Sequence, residues 1–307
     1  MTENLKIRMV GYGPPTTTHS RGLKFIGDRL VKQFGDRVDI FYIWNVMDIG
    51  YSSDGVLELT ECGITDLAYM STTALTARVP ELEFVDLPFL FATNDEARAA
   101  YDGALGQHMI DAIERQTNFR VLGFFENGFR HLSNRHREVR RPEDLAGMSI
   151  RTLGSDMHNR TFELLGMEPH SMRLDEAKIA IANNEVDAQE NPFANTTTYG
   201  IHHAHKFHTL SNHFYLSRGI YANPQKFASW PEDIQAATIA AIPDAVAHQR
   251  ALAVSEELLA RAQIEKAGGI VHELTPEEHK AFAAAVTPIY AEARGRFGDR
   301  MFAMIGK

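Results

Sequence analysis

The sequence predicts an α/β protein with two lobes, and three observations lead to this prediction. The chain has 307 residues, which exceeds the roughly 100–200 residues that one hydrophobic core usually organises. Short apolar strands alternate with amphipathic helices, a pattern typical of a parallel, doubly wound sheet. After Arg130 a second run of the same alternation begins, so we expect the architecture to occur twice.

The elements of the first run have clear boundaries. Leu5–Val10 is predicted to be a strand that ends at the turn Gly11–Pro15. Ser20 has the position of a helix cap, and Gly35 closes that helix. Further strands are predicted at 38–44, 63–71 and 120–125, and further helices at 57–62 and 94–113.

The second run repeats the pattern, and the last third of the chain is helical. Strands are predicted at 149–153, 186–188 and 213–216, and helices at 156–165 and 175–183. Ser229 and Glu232 have the spacing of a capping box, which would open a long helix that Pro243 kinks and Gly268–Gly269 ends. A second capping box at Thr275–Glu278 is predicted to start the last helix.

Composition narrows the classes of function. The formal net charge of -9 argues against nucleic acid as a partner. Cys62 is the one cysteine, so an internal disulfide and a multi-cysteine metal site are excluded, and its apolar context favours an inert thiol. No apolar run is long enough to span a membrane. The N-terminus shows no signal pattern, which indicates either a cytoplasmic chain or one whose signal sequence has been removed.

Motifs for catalysis and for metal binding are absent. There is no nucleophile elbow and no phosphate loop, and Gly11–Gly13 is followed by two prolines, which prevents it from opening a helix as a dinucleotide fingerprint does. The histidine run His202–His208 has no acidic ligand at matching spacing, so we expect a solvated connection and no metal site. The sequence therefore predicts that the protein is not an enzyme.

Two arginines and a polar run are the most informative residues. Arg130 and Arg151 lie in apolar, strand-like surroundings, and Gln189–Asn191 follows them. A guanidinium matches both oxygens of a carboxylate, and an asparagine adds one donor and one acceptor beside it. The pattern predicts a site for a small carboxylate.

Each of these residues also has a structural interpretation. Arg151 could form a surface or inter-lobe salt bridge. Arg130 could neutralise Glu126, and Asn191 could be a turn residue before Pro192. The residues alone leave both interpretations open.

Four ordered motifs follow one another along the chain: Asp86–Phe91, Arg141–Gly147 leading to Ile150–Arg151, Pro169–Glu176 and Asp187–Pro192. In these motifs the sequence resembles the solute-binding subunits of tripartite ATP-independent periplasmic (TRAP) transporters, of the DctP type, and the resemblance covers most of the chain. It implies a periplasmic-binding-protein-like fold with crossing strands and a long C-terminal helix spanning both lobes. We expect 1–128 plus 217–256 to form lobe I, and 129–216 plus 257–307 to form lobe II.

The resemblance also implies roles for individual residues. Arg151 would form the salt bridge with the substrate carboxylate, Asn191 would hydrogen-bond the same group, and Arg130 would be the second arginine of the cleft. The other residues expected at the ligand are Ser71, Leu174, His213, Tyr12, His19 and Trp44. Some relatives bind a cation together with an oxyacid, and Gln189 and Glu190 resemble its ligands; no other cofactor is implied.

The sequence departs from the family pattern at a few positions. Ala188 and the turn Asn183–Glu185 stand where glycines are usual, and Leu174 stands where many members carry an aromatic ring. We expect small backbone adjustments at Ala188 and at the turn Asn183–Glu185. Leu174, with Trp44 and Phe193 as neighbours, favours a monocarboxylate with an apolar body.

The function that the resemblance implies is capture of a small organic acid in the cleft, hinge closure, and delivery to the TRAP membrane subunits. The location would be the periplasm, with the signal sequence removed. An enzyme or a ligand sensor on the same two-lobed scaffold is the alternative, since fold does not fix function.

Overall fold

Strands and helices alternate along most of the chain, as the sequence predicts. The computed structural model describes residues 4–307. The first three residues of the N-terminus, for which no signal pattern is predicted, lie outside this range. The nine strands within the described residues are β1 (Leu5–Val10), β2 (Val38–Ile43), β3 (Leu67–Ser71), β4 (Arg120–Asn134), β5 (Ser149–Thr152), β6 (Glu168–Ser171), β7 (Ala188–Asn191), β8 (Phe207–Ala222) and β9 (Ile270–Glu273).

The α-helices are on average longer than the strands, and short 3-10 helices join several elements. The α-helices within the same residues are α1 (Thr18–Phe34), α2 (Gly55–Glu61), α3 (Asn94–Tyr101), α4 (Ala104–Gln116), α5 (Asp156–Leu164), α6 (Leu174–Ala182), α7 (Phe193–Thr198), α8 (Pro224–Ala228), α9 (Glu232–Lys266), α10 (Pro276–Ala285), α11 (Pro288–Phe297) and α12 (Asp299–Ala303). Across residues 4–307, none of the helices has both the length and the apolar character needed to cross a bilayer.

The chain forms two compact units. The first unit contains the described residues up to Thr72 together with Ile110–Glu126 and Ser217–Val254. The second unit contains Thr73–Met109, Asn127–Leu216 and Ser255–Lys307. Strands β4 and β8 and helix α9 each contribute residues to both units. The predicted two-lobed α/β fold with crossing strands and a long C-terminal helix is therefore confirmed.

One segment is grouped differently from the expected lobe boundaries. Residues 73–109 are expected in lobe I from the sequence, whereas in the structure they group with the second unit. The Phe84 ring lies edge-on to Phe302, with ring centroids 5.0 Å apart. Arg296 donates to Glu83 at 2.5 Å. These contacts are made across more than 200 residues of sequence, which is why strand and helix periodicity does not reveal them.

The first unit is built on a parallel core of strands. β1 pairs in parallel with β2 and β3, and β3 pairs antiparallel with the segment Arg218–Ala222 of β8. The cap of α1 is Thr17, whose side chain accepts from the backbone N–H of Ser20. Ser20 was predicted to be this cap and is not. It is buried in the first turn, and its hydroxyl contacts the carbonyl of Gly13 and the hydroxyl of Tyr69.

The second unit contains further strands of the same sheet. β5 pairs in parallel with β6 and β7, β7 pairs antiparallel with His131–Asn134 of β4, and β9 pairs in parallel with Phe207–Leu210 of β8. Ile150, Phe162 and Phe214 belong to the apolar cluster beneath this sheet. Ala188, which replaces the usual glycine, lies in the same cluster and is buried, so its methyl group fills core space.

The two predicted capping boxes have different outcomes. Thr275 accepts from the N–H of Glu278 at 3.2 Å, and Glu278 accepts from the N–H of Thr275 at 2.8 Å, which confirms the second box. The first is wrong. The Ser229 hydroxyl donates to the carbonyl of Lys226, because Ser229 ends α8 instead of opening α9. Helix α9 begins at Glu232 and is continuous through Pro243.

The second box provides a test of local stability. Thr275→Ala removes the acceptor of the N–H of Glu278, so the free energy of unfolding should fall by about 1 kcal/mol. Urea denaturation followed by circular dichroism measures this change. Ser229→Ala is the matched control, since it removes a hydroxyl at a helix end that caps no N–H. Equal losses in the two variants would contradict the role assigned to Thr275.

Candidate functional site

Three neighbouring strands of the second unit align the residues that sequence analysis singled out. In the register of β4 with β7, His131 lies opposite Asn191, and Arg130 precedes it. In the register of β5 with β7, Arg151 lies opposite Gln189. The central strand β7 therefore carries the polar run, and each flanking strand carries one of the two arginines.

Arg130 is fully buried and forms an ion pair with Glu190. Nη2 of Arg130 donates to Oε1 of Glu190 and to the Glu190 carbonyl, each at 2.7 Å, and Nε donates to Oε2. Burial alone would raise the pKa of the Glu190 carboxyl, but the charge of Arg130 outweighs it and holds that pKa well below its ordinary value. The partner of Arg130 is thus Glu190 and not Glu126.

Two buried polar atoms beside this ion pair lack a hydrogen bond. Within residues 4–307, neither Nη1 of Arg130 nor Nε2 of His213 has a hydrogen-bond partner. His213 lies on β8, its Nδ1 contacts the Ser211 hydroxyl at 2.7 Å, and its Nε2 is 3.6 Å from Oε2 of Glu190. Burial lowers the pKa of His213. Buried polar atoms are rarely left unsatisfied, so these two nitrogens are candidates for contact with a ligand.

Arg151 is held in a fixed orientation. Its side chain is 3% exposed, and Nε and Nη2 donate to the carbonyl of Met172 at 3.0 and 2.7 Å. One oxygen that accepts from both nitrogens fixes the plane of the guanidinium. Leu174, the first residue of α6, follows two positions later and is buried.

Asn191 lies within a chain of side-chain hydrogen bonds, and its Oδ1 accepts from Nδ2 of Asn195 at 3.4 Å. Its Nδ2 donates to Oε1 of Gln189 at 2.5 Å, and Nε2 of Gln189 donates to the hydroxyls of Ser133 and Thr196 at 2.9 and 3.1 Å. Nδ1 of His205 contacts Ser133 at 2.9 Å. Asn191 is the last residue of β7 and buried, so its amide is fixed.

The cation hypothesis for Gln189 and Glu190 is not supported by these contacts. Oε1 of Gln189 accepts from Asn191, and the Glu190 carboxylate accepts from Arg130. In the part of the chain that the structure describes, no group of three or more His, Cys, Asp or Glu side chains is arranged to hold a metal ion.

Three of the four histidines of the run His202–His208 are buried, contrary to the predicted solvated connection, and His203 is exposed. His202, His205 and His208 are all buried. Burial lowers the pKa of His205 to about 3 and that of His208 to about 4, so both rings are neutral near pH 7. His208 lies on strand β8 and is buried by the fold. The spacing of the histidines in the sequence does not predict this burial.

The first unit contains a second polar group, centred on an arginine that sequence analysis missed. Nε of Arg218 donates to the hydroxyl of Tyr12, and Nη1 donates to the Ser71 hydroxyl at 3.3 Å and the Ser217 carbonyl at 3.2 Å. Ser71 and Arg218 are paired across β3 and β8. The structure therefore brings two of the predicted ligand residues, Tyr12 and Ser71, onto one guanidinium.

His19 lies close to the same group. Its Nε2 donates to the carbonyl of Glu126 at 3.0 Å, and its ring stacks on Tyr69 with centroids 5.5 Å apart. Burial, assisted by the charge of Arg218, lowers the pKa of His19 to about 3. His19 is therefore neutral and adds no positive charge.

The remaining aromatic residues have other neighbours. The Trp44 indole stacks on Tyr42 with centroids 4.2 Å apart and planes 6° apart. Phe193 is buried against Ala260 and Ile264 of α9, and its N–H donates to Glu257 at 2.8 Å. Phe193 is a core residue, which weakens the preference for a ligand with an apolar body.

Arg218 could have been found from the sequence. It stands within the apolar run Phe214–Ala222, as Arg130 and Arg151 stand within theirs. The strand predicted from the sequence ends at Leu216 and so excludes Arg218.

The chain is similar to one family of known proteins. The DctP profile, described as "Bacterial extracellular solute-binding protein, family 7", matches residues 46–295. The C4-dicarboxylate-binding periplasmic protein DctP of Rhodobacter capsulatus is 28% identical over 74% of this chain and 68% of its own.

Solved structures agree in fold over nearly the whole chain. A TRAP periplasmic solute-binding protein from a Polaromonas species, bound to D-erythronate, has a TM-score of 0.92 and 26% identity, covering 99% of each chain. One from Sulfurospirillum deleyianum with bound succinate has a TM-score of 0.92 and 25% identity, covering 98% of each chain.

Proposed function

We propose that this chain, which belongs to the DctP family of bacterial extracellular solute-binding proteins, captures a small organic acid by its carboxylate and delivers it to the membrane subunits of a TRAP transporter. The family is one of periplasmic solute-binding proteins and not of enzymes, so the prediction that the chain is not an enzyme is confirmed. The alternative of an enzyme on the same scaffold is wrong.

The observation that carries the carboxylate proposal is the unsatisfied Nη1 of Arg130. The rest of that guanidinium is fixed by Glu190, so Nη1 is a buried donor with a set direction. A carboxylate oxygen would satisfy it, and a neutral acceptor would do so with about half the strength. His213 offers a second unsatisfied nitrogen in the same place.

Arg151 and Asn191 complete the proposed carboxylate site. Both side chains are buried and held by hydrogen bonds to the protein, so little conformational entropy is lost when they meet a ligand. Arg151 supplies positive charge, and Asn191 supplies an amide donor and acceptor. The pair Arg130–Glu190 has no net charge, which weakens the attraction of Arg130 for an anion.

Isothermal titration of a panel of organic acids tests this site. Arg151→Gln should weaken binding of the best acid by about 100-fold or more, since loss of one partner of a buried, hydrogen-bonded charge pair costs several kcal/mol. The matched control is Arg160→Gln, which removes an exposed arginine paired with Glu292 in the same unit and should leave the affinity unchanged. Equal affinities of Arg151→Gln and wild type would refute the assignment.

Delivery to a transporter is tested separately. Uptake of the same labelled acid by proteoliposomes containing TRAP membrane subunits should require this protein, and Arg151→Gln should fail to support it at concentrations that saturate the wild type. Equal uptake with Arg151→Gln and with the wild type would contradict the proposal that the acid captured by this protein is the acid transported.

A further inference from the structure

His213 of the second unit is a buried imidazole whose two nitrogens have different surroundings. The side chain is 2% exposed and packs against the rings of Phe162 and Phe214, whose centroids are 5.6 and 4.6 Å away. Nδ1 contacts the hydroxyl of Ser211 at 2.7 Å, and a hydroxyl can donate or accept. Nε2 has no hydrogen bond within the described part of the chain and lies 3.6 Å from Oε2 of Glu190. Only Nε2 therefore depends on a further group.

The backbone around His213 has an unusual conformation. Asn212 has a φ of 48° and Phe89 a φ of 55°, both in the left-handed region that residues other than glycine rarely adopt. The N–H of Phe89 donates to the carbonyl of His213 at 2.7 Å. Strained backbone persists only where the surrounding contacts fix it. These backbone contacts, together with the contact of Nδ1 with Ser211, hold Nε2 toward Glu190.

His213 is neutral in the folded chain near pH 7. Burial lowers the pKa of its ring, and the carboxylate of Glu190 only partly opposes that shift. Arg130 and Glu190 cancel each other's charge, and burial lowers the pKa of His158 to about 3, so that ring is neutral as well. The titratable and charged groups that face His213 are Glu190 of β7, Arg130 and His131 of β4 and His158 of α5, with Asp86 beyond His158.

A captured carboxylate changes this balance of charge. Because Arg130 and Glu190 together have no net charge, a carboxylate that accepts from Nη1 of Arg130 adds a negative charge that this pair does not offset. Arg151 lies on β5, which β4 and β7 separate from the strand of His213. An anion nearby favours the protonated form of a histidine. The protonated ring would donate from Nδ1 to the Ser211 hydroxyl and from Nε2 to a carboxylate oxygen.

We propose that capture of the acid is coupled to uptake of one proton from solvent by Nε2 of His213, so that the acid and the proton each strengthen the binding of the other. The inference rests on the proposed function, because it places the captured carboxylate at Nη1 of Arg130. Linked binding is reciprocal. The affinity for a fully ionised acid should therefore rise as the pH falls, by up to about tenfold per pH unit, and decline as the pH rises.

Isothermal titration in buffers of different ionisation enthalpy counts the protons taken up. The full chain is titrated near pH 6 in phosphate and in bis-Tris with D-erythronate, D-galacturonate, lactate and pyruvate, which are fully ionised above about pH 5. For the acids that bind, the difference in enthalpy between the buffers should correspond to at least about half a proton per acid. The affinity should fall by about threefold or more between about pH 6 and pH 7.

Three variants assign the proton to one residue. His213→Gln retains an amide donor but cannot take up a proton, so its affinity should be independent of pH and its enthalpies should correspond to less than about a tenth of a proton. Asp86→Asn removes the neighbouring buried acid. His203→Gln removes an exposed histidine of the same unit. The Asp86 and His203 variants should both keep the wild-type proton count.

The outcomes separate this inference from the proposed function. Acids that bind wild type but not Arg151→Gln, with no proton uptake by wild type, would overturn the inference and leave the proposed function intact. This comparison stands even if His213→Gln does not fold. Uptake that persists in His213→Gln, or that is lost in Asp86→Asn, would place the proton on another group and also overturn the inference. Binding of none of the acids would refute both.

Discussion

Glu190→Gln is expected to lower the free energy of unfolding by about 3–5 kcal/mol. The carboxylate of Glu190 is fully buried and accepts from both Nε and Nη2 of Arg130. Glutamine retains one acceptor but has no charge, so the guanidinium would remain buried without a counterion. Removing one partner of a buried ion pair costs more than removing both, because the uncompensated charge is the expensive feature.

Chemical denaturation of the single and double variants measures this effect. Arg130→Met combined with Glu190→Gln should be more stable than Glu190→Gln alone, since no unpaired charge remains. Glu292→Gln, which breaks an exposed pair with Arg160, should cost less than about 1 kcal/mol. A loss for Glu190→Gln as small as that for Glu292→Gln would show that the buried pair contributes little.

The same pair has a defined dependence on pH. The folded-state pKa of Glu190 lies below its ordinary value, so its contribution to stability is present above the unfolded-state pKa and is lost as the pH falls through the folded-state pKa. Wild type should therefore lose stability below about pH 5, and Glu190→Gln should lack that portion of the loss.

Asp86→Asn is expected to stabilise the protein at pH 8, by up to about 4 kcal/mol. Asp86 is fully buried, and burial raises the pKa of its carboxyl to about 7. Its Oδ1 accepts from the Thr73 hydroxyl at 3.0 Å, while Oδ2 has no partner within residues 4–307. His158 lies 3.7 Å away but is neutral, because burial lowers its pKa to about 3.

The direction in which stability changes with pH follows from the raised pKa of Asp86. The unfolded chain releases this proton near pH 4 and the folded chain near pH 7, so the stability contributed by the neutral carboxyl is complete below pH 4 and declines as the pH rises to 7. Asparagine retains the acceptor for Thr73 and carries no charge, so the decline should disappear.

Thermal unfolding from pH 4 to pH 8 tests this prediction. The stability difference between Asp86→Asn and wild type should grow with pH and level off above pH 7. Asp28→Asn, which removes an exposed acid paired with Lys24, should give a small difference with little dependence on pH. A wild-type stability that rises between pH 4 and 7 with the same slope as that of Asp86→Asn would contradict the assignment of a raised pKa to Asp86.

Much of the fold could be predicted because its strands and helices follow from the local periodicity of the sequence. The alternation of strands and helices, the cap at Thr275 and the closing glycine at Gly35 depend on residues within a few positions of one another. The errors arose where a local signal competed with burial. Ser20 has the chemistry of a cap, but its hydroxyl is used by Gly13 and Tyr69 inside the first unit.

For the same reason, some residues of the candidate site could be predicted from the sequence, whereas their partners could not. Arg130 and Arg151 could be singled out because arginines in apolar strands are unusual, yet the sequence does not say which acid, if any, neutralises them. Glu190 was considered as a cation ligand, and the structure pairs it with Arg130, 60 positions earlier in the chain. Arg218 carries the same signal in the sequence, but its strand was predicted to end too early.

The α/β class, the family resemblance and the residue types suited to a carboxylate all follow from the linear sequence. Each of these depends on composition, short-range spacing or ordered motifs, which are properties of a linear chain. The tertiary structure alone decided that 73–109 belong to the second unit, that Arg130 is neutralised by Glu190, and that Arg218 is not neutralised by any acid of residues 4–307. Charge compensation depends on distance in space, and residues far apart in sequence acquire that distance only on folding.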